Sequence, residues 1–190
     1  MQMLYDILGS MIIGGMILVM VLGFNANLME GAALQTFKTT IQGNMTTVTN
    51  ILEYDFRKMG FQVAFPQDSA ISYADSTKIT FKGDFDNDGT IDNMTYFYNS
   101  VSNARCTNPR AHVLYRTVNA GAAQAINVGI TRFKLDYYDS TGVAFGGNLV
   151  SQPRRIKSMK VTISMESKEP YDTLYAGVYW DRTIKPRNVR

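Results

Sequence analysis

The chain has very few of the side chains on which most catalytic and zinc sites depend. Its 190 residues include one cysteine and one histidine. A zinc site built from several His and Cys ligands therefore cannot form within the chain. A nucleophile activated by an imidazole would have to use His112, which begins a strand-like run. The Asp and Glu residues show no spacing typical of a catalytic carboxylate pair, so we expect no enzyme and no small-molecule substrate.

The single cysteine also limits how the fold can be stabilised. Cys106 has no partner for an internal disulfide, so the fold does not depend on one. We interpret Cys106 as a loop or small core residue. A disulfide to another chain is the alternative.

Charge is missing from most of the N-terminal end. The eighteen residues from Ile7 to Phe24 include no charged side chain. As a helix they cover roughly 27 Å, which is close to the ~30 Å hydrocarbon thickness of a bilayer. We predict a transmembrane or filament-core helix over residues 1–24. A cleavable signal peptide is the alternative, but no Lys or Arg precedes Lys38 and no convincing Ala-x-Ala site closes the run.

Apolar residues continue beyond this run at a helical spacing. They recur mostly three or four positions apart, which predicts an amphipathic helix over residues 25–60. The recurring residues are Leu28, Ala32, Phe37, Ile41, Met45, Val48, Leu52, Phe56 and Met59. Gly60 is a plausible helix stop. A single helix from about Leu4 to Met59 would be ~80 Å long.

The residue pattern changes after residue 60, where short runs rich in Val, Ile, Thr, Tyr and Phe alternate with turn residues. These runs predict strands at Lys78–Lys82, Met94–Tyr98, His112–Thr117, Ile130–Tyr138, Ser158–Met165 and Leu174–Trp180. Residues 61–190 suffice for one compact β-rich head and not for two. The predicted fold class is α+β, with a long N-terminal α-helix packed against an antiparallel β-sheet head.

Small and polar residues in the apolar run are candidates for helix assembly. Ser10 and Gly14 lie four residues apart on one helix face, and Gly14 and Gly15 leave room for another backbone to approach. Glycine is also simply common in membrane helices, which is the plainer interpretation. Phe24 closes the apolar face. Asp6 precedes the run, where a carboxylate is costly unless it meets water, lipid headgroups or a cation such as a neighbouring chain's amino terminus.

An aspartate-rich segment gives the sharpest local motif. Carboxylates occupy relative positions one, three, five and nine, with glycine at position six, which is the spacing of a loop that wraps Ca²⁺ in oxygen ligands. We predict a calcium-stapled β-hairpin with the side chains of Asp84, Asp86, Asp88 and Asp92 and the carbonyl of Thr90 as ligands. Position twelve is not the usual Glu, and the flanks indicate strands. An acidic turn without a metal is the alternative.

Basic residues are concentrated in the C-terminal part of the chain. The overall net charge is +3, and residues 38–190 carry 19 bases and 14 acids. Such an excess could contact nucleic acid or an anionic surface. Arg154, Arg155, Lys157 and Lys160 are more simply a solvated face, and no phosphate-binding glycine loop or RNA-binding aromatic motif is present. Nucleic acid is therefore a weakly supported partner.

Taken in order, these features resemble the type IV pilin and type II secretion pseudopilin superfamily, most closely W-type minor pilins and J-type pseudopilins. The resemblance covers essentially the whole chain. The resemblance rests on the following segments: the apolar helix, the run from Ile51 to Phe61 that ends this helix, the aspartate-rich hairpin, Val113–Arg116, Val128–Asp139 and Pro186–Val189. The resemblance implies a filament subunit whose N-terminal helices bundle with copies of itself or other pilins, with a β head outside. It implies an inner-membrane anchor in the bacterial cell envelope before assembly and an extracellular filament afterwards.

Members of that superfamily are made with a short basic leader and carry a glutamate a few residues into the mature helix. This sequence shows neither feature. Either it is the processed form, in which case Asp6 is the nearest carboxylate and would perform the glutamate's role, or the chain starts uncleaved. A membrane-anchored, calcium-dependent adhesion or binding domain that does not polymerise would need the same anchor and hairpin. The sequence leaves this second interpretation open, as it does the choice between a main and a rare filament subunit.

Overall fold

A computed structural model describes residues 2–64, 69–99, 106–147, 150–170 and 174–189. One long helix precedes seven strands and a short 3-10 helix. The elements are α1 (Gln2–Lys58), β1 (Ile71–Ala74), β2 (Lys78–Gly83), β3 (Asp92–Asn99), β4 (His112–Val118), β5 (Gln124–Tyr138), the 3-10 helix (Pro153–Arg155), β6 (Ser158–Glu166) and β7 (Gly177–Ile184). The predicted α+β class, a long N-terminal helix on an antiparallel sheet, is therefore confirmed.

The two halves of α1 have different surroundings. From Gln2 to Ala32 every residue is exposed except the half-buried Gly9. From Ile41 onward one face of the helix is buried against the sheet. The helix ends with Arg57 and Lys58 in its last turn, where cations favour the negative end of the helix dipole. The rod therefore projects from the head with its first eight or so turns uncovered.

The sheet is a simple antiparallel meander in which each strand pairs with the next along the chain, in the order β1 to β7. Irregular pairing occurs in the β1–β2, β4–β5 and β5–β6 ladders. Connections between neighbours are short at several places, and a meander of this kind places one face of every strand toward the same side. That side receives α1.

Aromatic packing joins the end of α1 to the first strands. The Phe56 ring meets the rings of Phe81 and Tyr96 edge to face, with centroid separations of 5.4 Å in both cases. All three side chains are fully buried. Burying side chains of this size stabilises a fold by about 1.5–3 kcal/mol each. The C-terminal half of α1 is thus part of the core of the head.

The observed elements differ in detail from the sequence-based expectations. The apolar stripe of α1 that begins at Leu28 is buried against the sheet only from Ile41 onward. Leu28 is 54% exposed and Phe37 is half-buried. Strand β1 has no counterpart among the predicted strands, because it is only four residues long and polar on one side. The last strand begins at Gly177 and runs beyond Trp180.

Candidate assembly surface and metal centre

Most of the exposed large apolar side chains among the described residues lie on the first half of α1. The helix is long and apolar enough to cross a membrane by length and composition, and none of its most apolar segment is buried within the chain. The side chains of Met3, Met11, Val19, Met20 and Met29 are each about 70–80% exposed. Apolar patches of this size on soluble proteins mark surfaces that are covered by a partner or by lipid.

The residues predicted for assembly all lie on this rod. The Ser10 hydroxyl donates a hydrogen bond to the Ile7 carbonyl oxygen at 2.8 Å, which satisfies the hydroxyl within its own helix. A Cβ atom at Gly14 or Gly15 would meet nothing within 4 Å. Glycine in a helix costs about 1 kcal/mol relative to alanine, so its presence needs an explanation. No contact within the chain explains either residue. Phe24 is 66% exposed.

Asp6 is exposed on the same rod, one turn from the helix start. It forms no hydrogen bond or ion pair with any described residue. The carboxylate is therefore available to a cation outside the chain. In an apolar surrounding it would need such a cation or water.

The aspartate-rich loop connects β2 to β3. One carboxylate oxygen from each of Asp84, Asp86 and Asp88 lies within 4.8 Å of the others, so the three could hold a metal ion. Asp84 is fully buried, whereas the other two are exposed. Oxygen-only donors of this kind suit a hard cation such as Ca²⁺. The structure thus brings three of the four predicted aspartates together, and calcium binding by them stays a prediction.

Backbone N–H groups of the loop fold around these carboxylates. The Asp84 carboxylate accepts hydrogen bonds from the N–H groups of Asn87 at 2.6 Å and Gly89 at 3.1 Å. Asn87 and Gly89 adopt positive φ values of 63° and 86°. Asparagine and glycine are the residues that tolerate this left-handed region best. The loop conformation therefore follows directly from its Asp-Asn-Asp-Gly sequence.

Thr90 and Asp92 have other partners. The Thr90 side chain and backbone N–H both donate to Asp88, and the side-chain bond is the main reason that the pKa of Asp88 lies below its usual value. The Asp92 carboxylate accepts from the Asn119 amide at 2.6 Å and from the Phe85 N–H at 3.4 Å. Asp92 is largely buried and ties the loop to the turn after β4.

Lys58 links the aspartate-rich loop to the end of α1. Its ammonium donates to the Phe85 carbonyl oxygen at 2.9 Å and to the Asn87 side-chain oxygen at 3.2 Å. Lys58 also lies over the Tyr54 ring, 5.2 Å from its centroid. The loop and the helix terminus are therefore positioned by a shared cation.

A buried polar network was missed by the sequence reasoning. Asp55, on the buried face of α1, accepts hydrogen bonds from the Tyr96 hydroxyl and from the Arg116 guanidinium, whose Nε atom is 2.7 Å away. Asp55 is only 2% exposed. The signal was present in the chain, because a charged residue interrupts an otherwise apolar helix face between Leu52 and Phe56.

This network perturbs the titration of its members. Burial, followed by the charge of Asp55, raises the pKa of Tyr96. Burial alone would lower the pKa of Arg116, but the hydrogen bond and the charge of Asp55 outweigh it and raise the pKa. Both groups therefore keep their protons, and the buried carboxylate has two permanent donors. Loss of Arg116 would leave the buried carboxylate without its counter-charge, so the network disfavours registers of α1 in which Asp55 and Arg116 do not meet.

Comparisons with known proteins give no family assignment. No protein-family model matches the chain, and no curated protein matches it. The long apolar helix packed on an antiparallel sheet is compatible with a pilin-like fold.

Proposed function

We propose that the chain is a structural subunit of a type IV pilus-like or pseudopilus filament that assembles by bundling of its N-terminal helices. One observation carries the proposal. A single helix has its C-terminal half in the core of the head and its N-terminal half entirely uncovered. The head is thereby rigidly joined to an apolar rod that must find cover outside the chain, in lipid before assembly and among other rods afterwards.

The energy available from covering the rod is of the same size as the cost of association. Burying about 500 Å² of apolar surface per subunit at about 25 cal/mol per Å² stabilises the assembly by about 12 kcal/mol. Association costs about 4–15 kcal/mol in lost freedom. Head-to-tail contacts that do not close give filaments rather than rings. Extraction from the bilayer therefore favours helix bundling because water replaces lipid around the rod.

Small residues on the rod support close packing in such a bundle. Gly14 and Gly15 have open space around their Cα atoms, and Ser10 lies one turn from Gly14 on the same face. Backbones of neighbouring helices approach closely at such positions. Asp6 is the carboxylate placed to neutralise the amino terminus of an adjacent subunit.

The aspartate-rich loop adds a calcium-stabilised head to this proposal. Asp84, Asp86 and Asp88 supply clustered oxygen ligands, and the Thr90 carbonyl and Asp92 complete the set proposed from the sequence. Calcium neutralises carboxylates that otherwise repel one another, and its binding free energy stabilises the loop that holds them. We propose that the subunit belongs to the bacterial cell envelope, anchored in the inner membrane before assembly and extracellular in the filament.

Replacing Asp6 tests the assembly mechanism. We expect Asp6→Ala to reduce the yield of filaments about tenfold or more, because the amino terminus of the neighbouring subunit would be buried without a counter-charge. Asp6→Glu should restore assembly. Filament yield is measured by negative-stain electron microscopy and sedimentation of sheared surface material from cells that express the full-length chain.

Glu30→Ala is the matched control, since Glu30 is the other acid in the first 37 residues and is also exposed. It should leave the filament yield unchanged. Unchanged assembly of Asp6→Ala would remove the proposed charge pairing. Equal loss in both variants would instead assign the effect to net charge.

A membrane-anchored, calcium-dependent binding domain that does not polymerise is the second candidate. The clustered aspartates favour it as much as they favour the filament, because the metal site is remote from the rod. Slow removal of detergent from the purified full-length chain separates the two candidates. Filaments in electron micrographs support the subunit. Dispersed particles, or particles that only re-enter added lipid vesicles, support the anchored domain.

A further inference from the structure

A basic groove lies where the end of α1 meets the last strand and the chain that follows it. The groove has a volume of about 620 Å³. It is lined by the five cations Arg57, Lys58, Arg182, Lys185 and Arg187, together with Tyr54, Thr183 and Ile184. None of the described residues that line it is acidic. The cations come from two segments that are more than a hundred residues apart in the sequence.

The segment after β7 is held firmly under the helix end. Pro186 is buried between the exposed Lys185 and Arg187, so the two charged side chains are directed away from the core. Gly60 packs against the Asn188 carbonyl oxygen so closely that a Cβ atom would lie 2.6 Å from it. The two cations therefore stand on a fixed backbone, and a ligand would bind them without ordering the chain first.

The charges of the groove are only partly balanced within the chain. Glu53 pairs with both Arg57, at 3.4 Å, and Arg182. Lys58 donates to the aspartate-rich loop. Lys185 and Arg187 form no hydrogen bond or ion pair with any described residue. A helix C-terminus explains the two cations of α1 itself, but it does not explain three further cations brought to the same place by the end of the chain.

We propose that this groove binds an anion that carries two or more phosphate groups. Guanidinium groups present paired N–H donors that match the oxygens of a phosphate, and ammonium groups add compact charge. The groove lies at Arg57 and Lys58, more than thirty residues beyond Phe24 along one helix, which is about 50 Å. Headgroups of the membrane that holds the rod are therefore out of reach. The ligand is in the aqueous phase, either as a free oligophosphate or as the backbone of a phosphodiester chain.

Titration calorimetry on the full-length chain in non-ionic detergent micelles tests this site. The probes are inorganic tripolyphosphate and a short oligothymidylate, both in calcium-free buffer so that the aspartate-rich loop does not contribute. We expect the double variant Lys185→Gln/Arg187→Gln to bind tripolyphosphate roughly tenfold more weakly or worse, because it loses two charge-assisted contacts. The oligothymidylate arm identifies the source. Binding with the same dependence on the variant places the phosphates on a nucleic-acid backbone, whereas binding of tripolyphosphate alone identifies a free oligophosphate.

Arg132→Gln/Arg154→Gln is the matched control. It removes the same number of positive charges, two, from exposed positions on β5 and the 3-10 helix, outside the groove. Its affinity should stay within about twofold of the unaltered chain, with general charge effects further reduced at an ionic strength of about 0.15 M. Absence of tripolyphosphate binding to the unaltered chain would overturn the proposal. Equal affinity of the groove variant, or equal weakening in the control, would do the same. The subunits are dispersed throughout, so each result is independent of whether the chain polymerises.

Discussion

Gly60 shows how much one residue contributes to the junction between α1 and the head. Its φ of +78° belongs to the left-handed region, and its Cα faces the Asn188 carbonyl oxygen at close range. We expect Gly60→Ala to lower the free energy of unfolding by about 2 kcal/mol or more, through backbone strain and displacement of the C-terminal segment. Thermal unfolding followed by circular dichroism measures the change.

Gly43 is the matched control for this prediction, because it lies within α1 and a Cβ there meets nothing within 4 Å. Gly43→Ala should raise stability by up to about 1 kcal/mol, since alanine favours the helix more than glycine does. A neutral Gly60→Ala variant would show that the C-terminal segment moves away at little cost.

Tyr98 is expected to make stability sensitive to alkaline pH. Burial raises its pKa from about 10 to about 12, and burial also raises the pKa values of Tyr96 and Tyr137. Above pH 10 the unfolded chain releases protons that the folded chain keeps. The contribution of these phenols to the free energy of unfolding is therefore fully present below about pH 10 and declines as the pH rises toward 12. Urea unfolding at a series of pH values measures this decline.

Tyr98→Phe should flatten part of the decline, because it removes one of the three phenols whose pKa is raised by burial. Tyr179→Phe, which alters an exposed phenol on β7, is the comparison and should keep the full decline. If Tyr98→Phe leaves the slope as steep as Tyr179→Phe does, the half-buried phenol of Tyr98 does not contribute to it.

At the scale of elements, the loop between β2 and β3 is predicted to respond to calcium. Asp86→Asn/Asp88→Asn removes two exposed charges from the cluster without altering the buried Asp84. We expect the unaltered chain to gain about 2.7 kcal/mol of stability at a calcium concentration one hundred times the dissociation constant, and the variant to gain much less. Unfolding with added calcium or with chelator measures the difference.

Asp139→Asn is the matched control for the loop. Asp139 accepts hydrogen bonds from Thr141 and Val143 much as Asp88 does from Thr90, but it belongs to no carboxylate cluster among the described residues. Its response to calcium should equal that of the unaltered chain. Equal calcium responses in all three proteins would contradict a site at the loop.

The elements also show what could be read from the sequence. Helix α1, six of the seven strands and the aspartate-rich loop follow local patterns, because periodicity and turn residues act over a few positions. Strand β1 and the Asp55–Arg116 pair could not be predicted in this way. Strand β1 is only four residues long and too polar on one side to show a strand pattern. Asp55 and Arg116 are distant in the sequence, and only the packing of α1 on the sheet brings them together. The basic groove depends on the same packing.

At the scale of the whole molecule, the head should not need the exposed half of α1. A chain that starts at residue 37 keeps every buried helix residue, from Ile41 onward. We expect it to be monodisperse without detergent, to show the β-sheet signal of the full chain and to form no filaments. Size-exclusion chromatography with light scattering and circular dichroism measure these properties.

A chain that starts at residue 50 is the comparison, because it also loses the buried Ile41, Met45 and Val48. Removing buried side chains of this size costs several kcal/mol, so this shorter chain should be unstable or aggregate. If the chain that starts at residue 37 behaves in the same way, the exposed rod contributes to the folding of the head and the division of α1 into two halves is wrong.

The continuity of α1 has a mechanical consequence. A force applied to the tip of the rod travels along the helix axis and reaches the head as sliding between the Ile41–Met59 stretch and the sheet, not as peeling from one end. Sliding strains all the interlocked side chains together, including the Phe56 cluster and the Asp55–Arg116 pair. A head joined in this way should withstand traction far better than one tethered through a flexible linker.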